Sequence, residues 1–143
     1  MPTIPAFVDT NILLYAVSTN QGEADKRDAA RKILSANSIC FSVQVAQEFF
    51  VNATRKLMPP LSRTDALIFL SQVSPTTVAP LDYELFEEAT RLSERFQISY
   101  WDAAVVAAAK RLQCTTLYSE DLSEGQNIEG VIVANPFSKT AKS

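Results

Sequence analysis

Short apolar runs alternate with longer stretches of helical period along this chain. Ala6-Phe7-Val8 is an apolar run ending at Asp9, the pattern of a buried strand followed by a polar turn, and Asn11 to Val17 can enter a helix at once. The polar stretch 18–22 reads as a loop. Glu23 to Ala36 is helical in pattern, with Ala30, Ile33 and Leu34 inward and Lys26, Arg27, Arg31 and Lys32 outward. Ser38 to Ser42 is a second short strand. Val43 to Leu57 places Ala46, Phe49, Phe50, Ala53 and Leu57 on one helical face, and Met58-Pro59-Pro60 ends it. Ser62 and Asp65 have capping-box spacing at the start of a helix running to about Val73. Thr76 to Leu81 is a β-branched strand candidate. Asp82 can cap a helix with Leu85, Phe86, Ala89, Leu92 and Phe96 inward. Ser99 can cap another, whose body Ala103 to Ala109 is apolar all round and therefore buried on most sides. Thr115 to Tyr118 and Ile128 to Val133 are the last strand candidates.

Strands alternating with helices predict an α/β fold: a mostly parallel sheet with helices on both faces. No repeat or linker divides the chain, so residues 1–137 read as one domain and 138–143 as a loose tail.

Composition narrows the chemistry. The 143 residues are 47% hydrophobic and 20% charged, which suits a packed domain rather than a disordered one. The net charge of −3 argues against a basic nucleic-acid clamp, though not against a nuclease that recruits cations to an acidic pocket. Cys40 and Cys114 sit in apolar runs and read as buried core thiols; no CxxC spacing suggests a thiolate zinc site. There is no histidine, which excludes a Ser-His-Asp triad, a Cys-His pair and a His-ligated zinc. Met1 to Phe7 lacks a basic segment followed by a long apolar one, and no apolar run reaches the ~18 residues of a membrane span. The expectation is a cytoplasmic protein without a membrane contact.

Carboxylates are the remaining candidates. Ligands of open α/β sheets bind beyond the carboxyl ends of the strands, where Asp9 and Asp121 both fall. Asp102 lies in the first turn of the buried helix, whose N-terminus faces the same rim if the sheet is parallel. Each acid also has a plainer reading. Asp9 can be a helix cap, and Asp102 stands three residues after Ser99 in capping-box spacing. Glu48 lies off the apolar stripe of its helix, where a solvated side chain is the default. Asp121 shares a charged loop with Glu120, and either can be the acid that points inward. Trp101 is expected to pack. Together the acids carry more than they do singly. Clustered carboxylates repel one another unless cations enter. Oxygen-only ligand sets suit Mg²⁺ or Mn²⁺, and two such ions ~3.5–4 Å apart are a known device for phosphodiester cleavage.

The residues at these positions carry a family resemblance. Phe7-Val8-Asp9-Thr10-Asn11-Ile12-Leu13-Leu14-Tyr15-Ala16, Gln47-Glu48-Phe49, Tyr100-Trp101-Asp102-Ala103-Ala104, Ser119-Glu120-Asp121 and Asn135-Pro136-Phe137 follow in order over nearly the whole chain. The chain resembles a PIN-domain ribonuclease of the VapC toxin type. The resemblance implies an α/β/α sandwich and a Mg²⁺- or Mn²⁺-dependent endoribonuclease. It implies that Asp9, Glu48, Asp102 and Asp121 form the metal-holding acidic pocket, with Asn11 and Ser119 orienting them. It further implies a homodimer restrained by a small cognate antitoxin.

RNA then needs a hold other than net charge. Lys26, Arg27, Arg31 and Lys32, and Arg55, Lys56 and Arg63 near the proline break, are the candidates, although most such residues are ordinary solvated surface. Three other readings compete. One is a catalytically silent PIN-like module that binds RNA or protein. Another is an aspartyl-phosphate enzyme using Asp9, against which Asn11 stands where dehalogenase-type phosphatases carry a second Asp. The third is an α/β protein whose acids are only caps and surface.

Overall fold

The structure is a computed structural model, and it describes residues 5–137 except 74 and 76. The predicted tail at 138–143 and the first residue of the predicted strand at Thr76 lie outside the described residues. Strand β1 (Ala6–Val8) leads through helix α1 (Thr10–Val17) and a single 3₁₀ turn (Gln21–Glu23) into α2 (Ala24–Ala36). Then come β2 (Ile39–Ser42), α3 (Val43–Arg55), α4 (Arg63–Val73) and β3 (Thr77–Ala79). Helices α5 (Tyr83–Phe96) and α6 (Tyr100–Arg111) precede β4 (Thr116–Tyr118), β5 (Asn127–Ile128) and β6 (Val131–Ala134).

The six strands form one sheet in the order β3-β2-β1-β4-β6-β5. All neighbours are parallel except β5 and β6. β1 is central: Phe7 pairs with Cys40 on one side and Leu117 on the other. Such strands are covered on both faces, and β1 and β2 are buried along their whole length. Helix α6 packs on β2, β3, β4 and β6, with α5 against it, while α1 packs on α2 and α3, and α3 on α4. The architecture is the predicted α/β fold with a mostly parallel sheet. Among the described residues no helix is long and apolar enough to cross a membrane.

Local chemistry explains the boundaries. Asp9, Ser42, Asp82 and Ser99 are N-caps, each accepting a hydrogen bond from a backbone N–H of the helix it starts. Ser62 Oγ likewise accepts from Asp65 N at 3.0 Å. In α6, Ala103 to Ala109 are all buried, as an all-apolar helix requires. Cys40 and Cys114 are buried free thiols, and burial with Cys40 alongside pushes the Cys114 thiol up to about 12.

Two expectations are corrected. The run Ile128 to Val133 is not one strand but the β5–β6 hairpin. Glu129 and Gly130 both have positive φ, at 51° and 97°, which reverses the chain within two residues in the primed-turn manner. Asn127 Oδ1 accepts from Gly130 N at 2.8 Å and closes the turn. On α5, Phe86 is not inward: it is 45% exposed, because Leu85, Ala89 and Leu92 take the buried stripe and Phe86 lies one step round the helix.

Candidate active site

Parallel pairing of β1 and β4 brings Val8 opposite Tyr118, so the next residues, Asp9 and Ser119, leave the sheet side by side. Asp9 N donates to Tyr118 O at 2.9 Å, continuing the ladder by one step. The Asp9 carboxylate is only 5% exposed and both its oxygens are held. Oδ1 accepts from Thr10 N at 2.7 Å, and Oδ2 accepts from Ser119 Oγ at 2.8 Å. Asp9 is thus a helix cap and a site residue at once.

From this anchor the other acids are placed in turn. Thr10 Oγ1 donates to Glu48 Oε1 at 2.9 Å, which ties α1 to α3. Glu48 is therefore half-buried and engaged, not the free solvated side chain its position off the apolar stripe suggested. Asn11 Nδ2 donates to Asp121 Oδ2 at 3.3 Å, and Asp121 N donates to Ser119 Oγ at 3.2 Å. Asp102 N donates to Ser99 Oγ at 3.0 Å, so Ser99 caps α6 through the Asp102 amide while the Asp102 side chain lines the cleft. Asp9, Glu48, Asp102 and Asp121 all line one hollow of about 280 Å³, shared with Thr10, Asn11, Gln44, Asn52 and Trp101.

The electrostatics are those of acids crowded without a counterion. No Lys or Arg lines the hollow, and among the described residues none of the four acids forms an ion pair. Burial raises the Asp9 carboxyl to about 6, with the charges of Asp121 and Glu48 adding to it; the hydrogen bonds from Thr10 and Ser119 pull the other way. Asp121 is also raised, first by burial and then by the charges of Asp102 and Glu120. As the side chains stand, no three Asp, Glu or Cys residues among those described are close enough to enclose a metal ion. The donor set itself fits a hard divalent cation: four carboxylates, no competing base, and at least two groups whose charged forms the fold alone disfavours.

Glu120 faces a different way from Asp121. It accepts from Lys26 Nζ at 2.6 Å and from Tyr15 OH at 2.8 Å, and Lys26 lies 4.8 Å from the Tyr15 ring centroid and 5.5 Å from that of Phe137. The alternatives left open by the charged loop are separated: Asp121 lines the hollow and Glu120 fastens the loop to α1 and α2. This also occupies Lys26. Arg31 Nε donates to Ala16 O at 2.8 Å, and Arg27 lies 3.6 Å from Asp28. Of the remaining cationic candidates, Lys56 lines a second hollow with Asn11 and Leu14, both of which also line the acid site. Arg55, Arg63 and Lys32 are exposed and line neither hollow.

Sequence reasoning missed Gln44 and Asn52. They stand four residues either side of Glu48, so a polar stripe at helical spacing on α3 was there to be found. Trp101 was expected to pack, and is instead 64% exposed at the rim of the hollow. At the first turn of α6 the buried positions begin only at Ala103.

A comparison with known families decides the identity. The PIN domain profile matches residues 6–123, a span that holds all four acids. The chain belongs to the PIN domain family. Solved structures similar to this PIN domain share its fold at low identity. A toxin–antitoxin complex from Klebsiella pneumoniae has a TM-score of 0.67 at 19% identity, covering 92% of this chain and 98% of that one. DNA-bound VapBC from Salmonella typhimurium has a TM-score of 0.65 at 15% identity, covering 93% and 98%. VapC20 of Mycobacterium tuberculosis, described as a toxin that cleaves the sarcin–ricin loop, has a TM-score of 0.60 at 16% identity, covering 78% and 86%. No curated protein sequence matches significantly.

Proposed function

We propose that this PIN domain is a divalent-metal-dependent endoribonuclease, the toxin of a toxin–antitoxin pair. The observation that carries the reading is the convergence of Asp9, Glu48, Asp102 and Asp121 on one hollow that contains no cation of its own. A scaffold gains nothing from tolerating that repulsion, whereas a metal site needs it. The four acids would hold Mg²⁺ or Mn²⁺, which when bound supplies positive charge to a phosphodiester and activates water for its hydrolysis.

The chain's own residues supply order. Ser119 holds Asp9 and, through the amide of Asp121, the start of the loop that carries the fourth acid. Asn11 bridges that loop, giving its Nδ2 to Asp121 and taking the Glu120 amide on Oδ1 at 3.4 Å. Thr10 fixes Glu48. Lys56, beside Asn11, is the cation best placed for a phosphate of the bound strand; Arg55 and Arg63 would act at a greater remove.

The aspartyl-phosphate alternative fits poorly. Both Asp9 oxygens already accept hydrogen bonds and the carboxylate is almost wholly buried, so neither is presented as a nucleophile. A cognate antitoxin, a homodimer and a cytoplasmic setting complete the proposal. The antitoxin is supported by the shared fold of the toxin–antitoxin complexes above, and the homodimer and cytoplasmic setting follow from the family resemblance.

The test is cleavage of total cellular RNA by purified, inhibitor-free protein in Mg²⁺, Mn²⁺ or EDTA, beside Asp9→Asn/Asp102→Asn. Discrete metal-dependent bands lost in the double variant are expected. Folded wild-type protein that cuts nothing in either metal refutes the enzyme and leaves a silent binding module.

A further inference from the structure

Two side chains on the acid hollow hold none of the four acids in place. Gln44 lies in the first turn of α3, is 6% exposed, and its Nε2 meets no acceptor. Buried amide donors are seldom left so, because the lost hydration is not replaced. None of the polar neighbours on the hollow accepts from it, and their own hydrogens go elsewhere. Thr10 gives its hydroxyl hydrogen to Glu48, Asn11 gives its amide to Asp121, and Asn52 Nδ2 donates to Glu48 O at 2.7 Å. Gln44 is therefore an unpartnered donor in the wall of the site, left to pair with an acceptor that enters the hollow.

The second side chain is Trp101. It lines the same hollow, immediately before Asp102, yet it is 64% exposed. Its ring stands edge-on to Tyr100, with centroids 5.0 Å apart and planes at 82°. Tyr100 continues to Phe86 at 5.9 Å, and Phe86 to Tyr83 at 5.4 Å. An open run of aromatic rings thus leads away from the acids, with Tyr83 71% exposed.

These two observations are independent, and they ask for the same ligand. An exposed indole at the edge of a site for phosphodiesters offers a face on which a nucleobase stacks, whatever its identity. A base presents that face only when it is out of a duplex, and recognition of RNA favours such unpaired positions. A neutral amide donor beside it suits an oxygen of the same nucleotide, either the ribose 2′-hydroxyl or a non-bridging phosphate oxygen. Continuity with the hollow makes the indole part of the surface that a substrate at the acids meets, and an antitoxin resting there would compete with it. Resting on the nuclease reading, we propose that the hollow seats one unpaired nucleotide beside the bond to be cut, its base stacked on Trp101 and an oxygen of its sugar–phosphate accepting from Gln44 Nε2.

The experiment begins from the RNA site mapped by wild-type protein in total RNA. A short oligonucleotide of that sequence is cleaved as a single strand and annealed to its complement, with saturating Mg²⁺ or Mn²⁺. Wild type is compared with Trp101→Ala, Trp101→Phe and Gln44→Leu, and each protein's fold is checked by its melting curve. Trp101→Ala is expected to raise KM by ~5- to 150-fold with kcat nearly kept, the range for loss of one base stack. Trp101→Phe restores most of it. Annealing protects the site from wild type. Gln44→Leu lowers kcat/KM by roughly 10-fold. Oligonucleotides with single 2′-deoxy substitutions then separate the two oxygens. A substitution that slows wild type but not Gln44→Leu assigns the hydroxyl, while equal slowing of both assigns the phosphate.

The seat is refuted by wild-type KM in Trp101→Ala, by wild-type kcat/KM in Gln44→Leu, or by equal cleavage of the duplex. It is also refuted if Trp101→Ala changes only the sedimentation of the protein, which would give the ring to a contact between copies. Wild type that cuts no RNA overturns the nuclease itself, a result distinct from any of these.

Discussion

At the scale of a residue, Asp9 shows what it costs to bury a carboxylate among other acids. Its carboxyl is raised from 3.8 to about 6, so the fold binds this proton more tightly than the unfolded chain does. Stability therefore falls as pH rises from about 4 through about 6 and levels off above, when no divalent ion is present. The shift corresponds to ~3 kcal/mol of destabilisation at neutral pH. Asp9→Asn keeps an oxygen for Thr10 N, and Ser119 Oγ can accept from the new amide. Without metal, the variant is expected to be about 1–3 kcal/mol more stable than wild type near pH 7.5. The gain should vanish near pH 4. Urea melts at the two pH values check it, and a variant less stable than wild type at pH 7.5 would show Asp9 to be structural. Ser119 has the opposite character. Its hydroxyl is the donor to Asp9 and the acceptor for the Asp121 amide. Ser119→Ala is expected to lower cleavage by roughly 10- to 100-fold, the usual effect of removing a group that orients ligands. The apparent acid pKa of the pH–rate profile should rise as well, because a bond that favours the charged Asp9 is gone. Unchanged kcat/KM at neutral pH would remove Ser119 from the site.

At the scale of an element, what the sequence disclosed and what it hid divide by distance along the chain. The turn from β1 into α1, the caps at Asp82 and Ser99, and the buried body of α6 depend on neighbours within four residues, and all were legible; the cap at Ser42 was not read. The gathering of Asp9, Asp102 and Asp121 followed from a topological rule, that parallel strands carry their sites at one end, whereas Glu48 entered only through the family resemblance. The rule could not say how each is held. The bond from Thr10 to Glu48 spans 38 residues and that from Tyr15 to Glu120 spans 105, and no periodicity encodes either. The β5–β6 hairpin was missed because its apolar run is broken only by Glu129-Gly130, a weaker turn signal than Asn-Gly. What pins that hairpin is equally non-local. The Glu129 carboxylate receives Arg91 at 2.6 Å and Lys110 at 2.8 Å, and Arg95 as well, and the bonds from Arg91 and Lys110 pull its carboxyl down to about 2. A lowered carboxyl pKa stabilises the fold above about 4.5 and loses that contribution as pH falls toward 2. Glu129→Gln is therefore expected to melt below wild type at pH 7, with the gap closing by about pH 2–3. Its cleavage activity should be unaltered, since none of these residues lines the acid hollow. Melting curves across pH decide it, and a gap that persists at low pH would assign the effect to packing instead of charge.

At the scale of the whole molecule, net charge and site charge have to be reconciled. As a nuclease, a protein of net charge −3 would have to bring a polyanion to four carboxylates, and the described cations do not line the place where the acids meet. Lys26 is taken by Glu120, Arg91 and Lys110 by Glu129, and Arg111 by Asp82 at 2.8 Å. The fold has spent much of its basic charge on holding itself together. On the proposed function a divalent ion would serve structure and function at once: it would relieve the repulsion that raises Asp9 and Asp121, and reverse the sign of the field that a phosphate meets. This has a consequence measurable without any RNA. An ion that binds only the folded chain stabilises it by about 2.7 kcal/mol when present at a hundred times its dissociation constant, and the melting temperature climbs with its concentration. Mg²⁺ and Mn²⁺ are each expected to raise the wild-type melting temperature at pH 7.5, with NaCl of equal ionic strength unable to substitute. Asp9→Asn/Asp102→Asn should start higher and respond little. At pH 5 the response of wild type should shrink, because a protonated Asp9 is a poor ligand and the ion must displace its proton. Equal rises in wild type and double variant would place the cation elsewhere on the surface. A wild-type melting temperature indifferent to both metals would mean that the four acids meet for some reason other than to bind them.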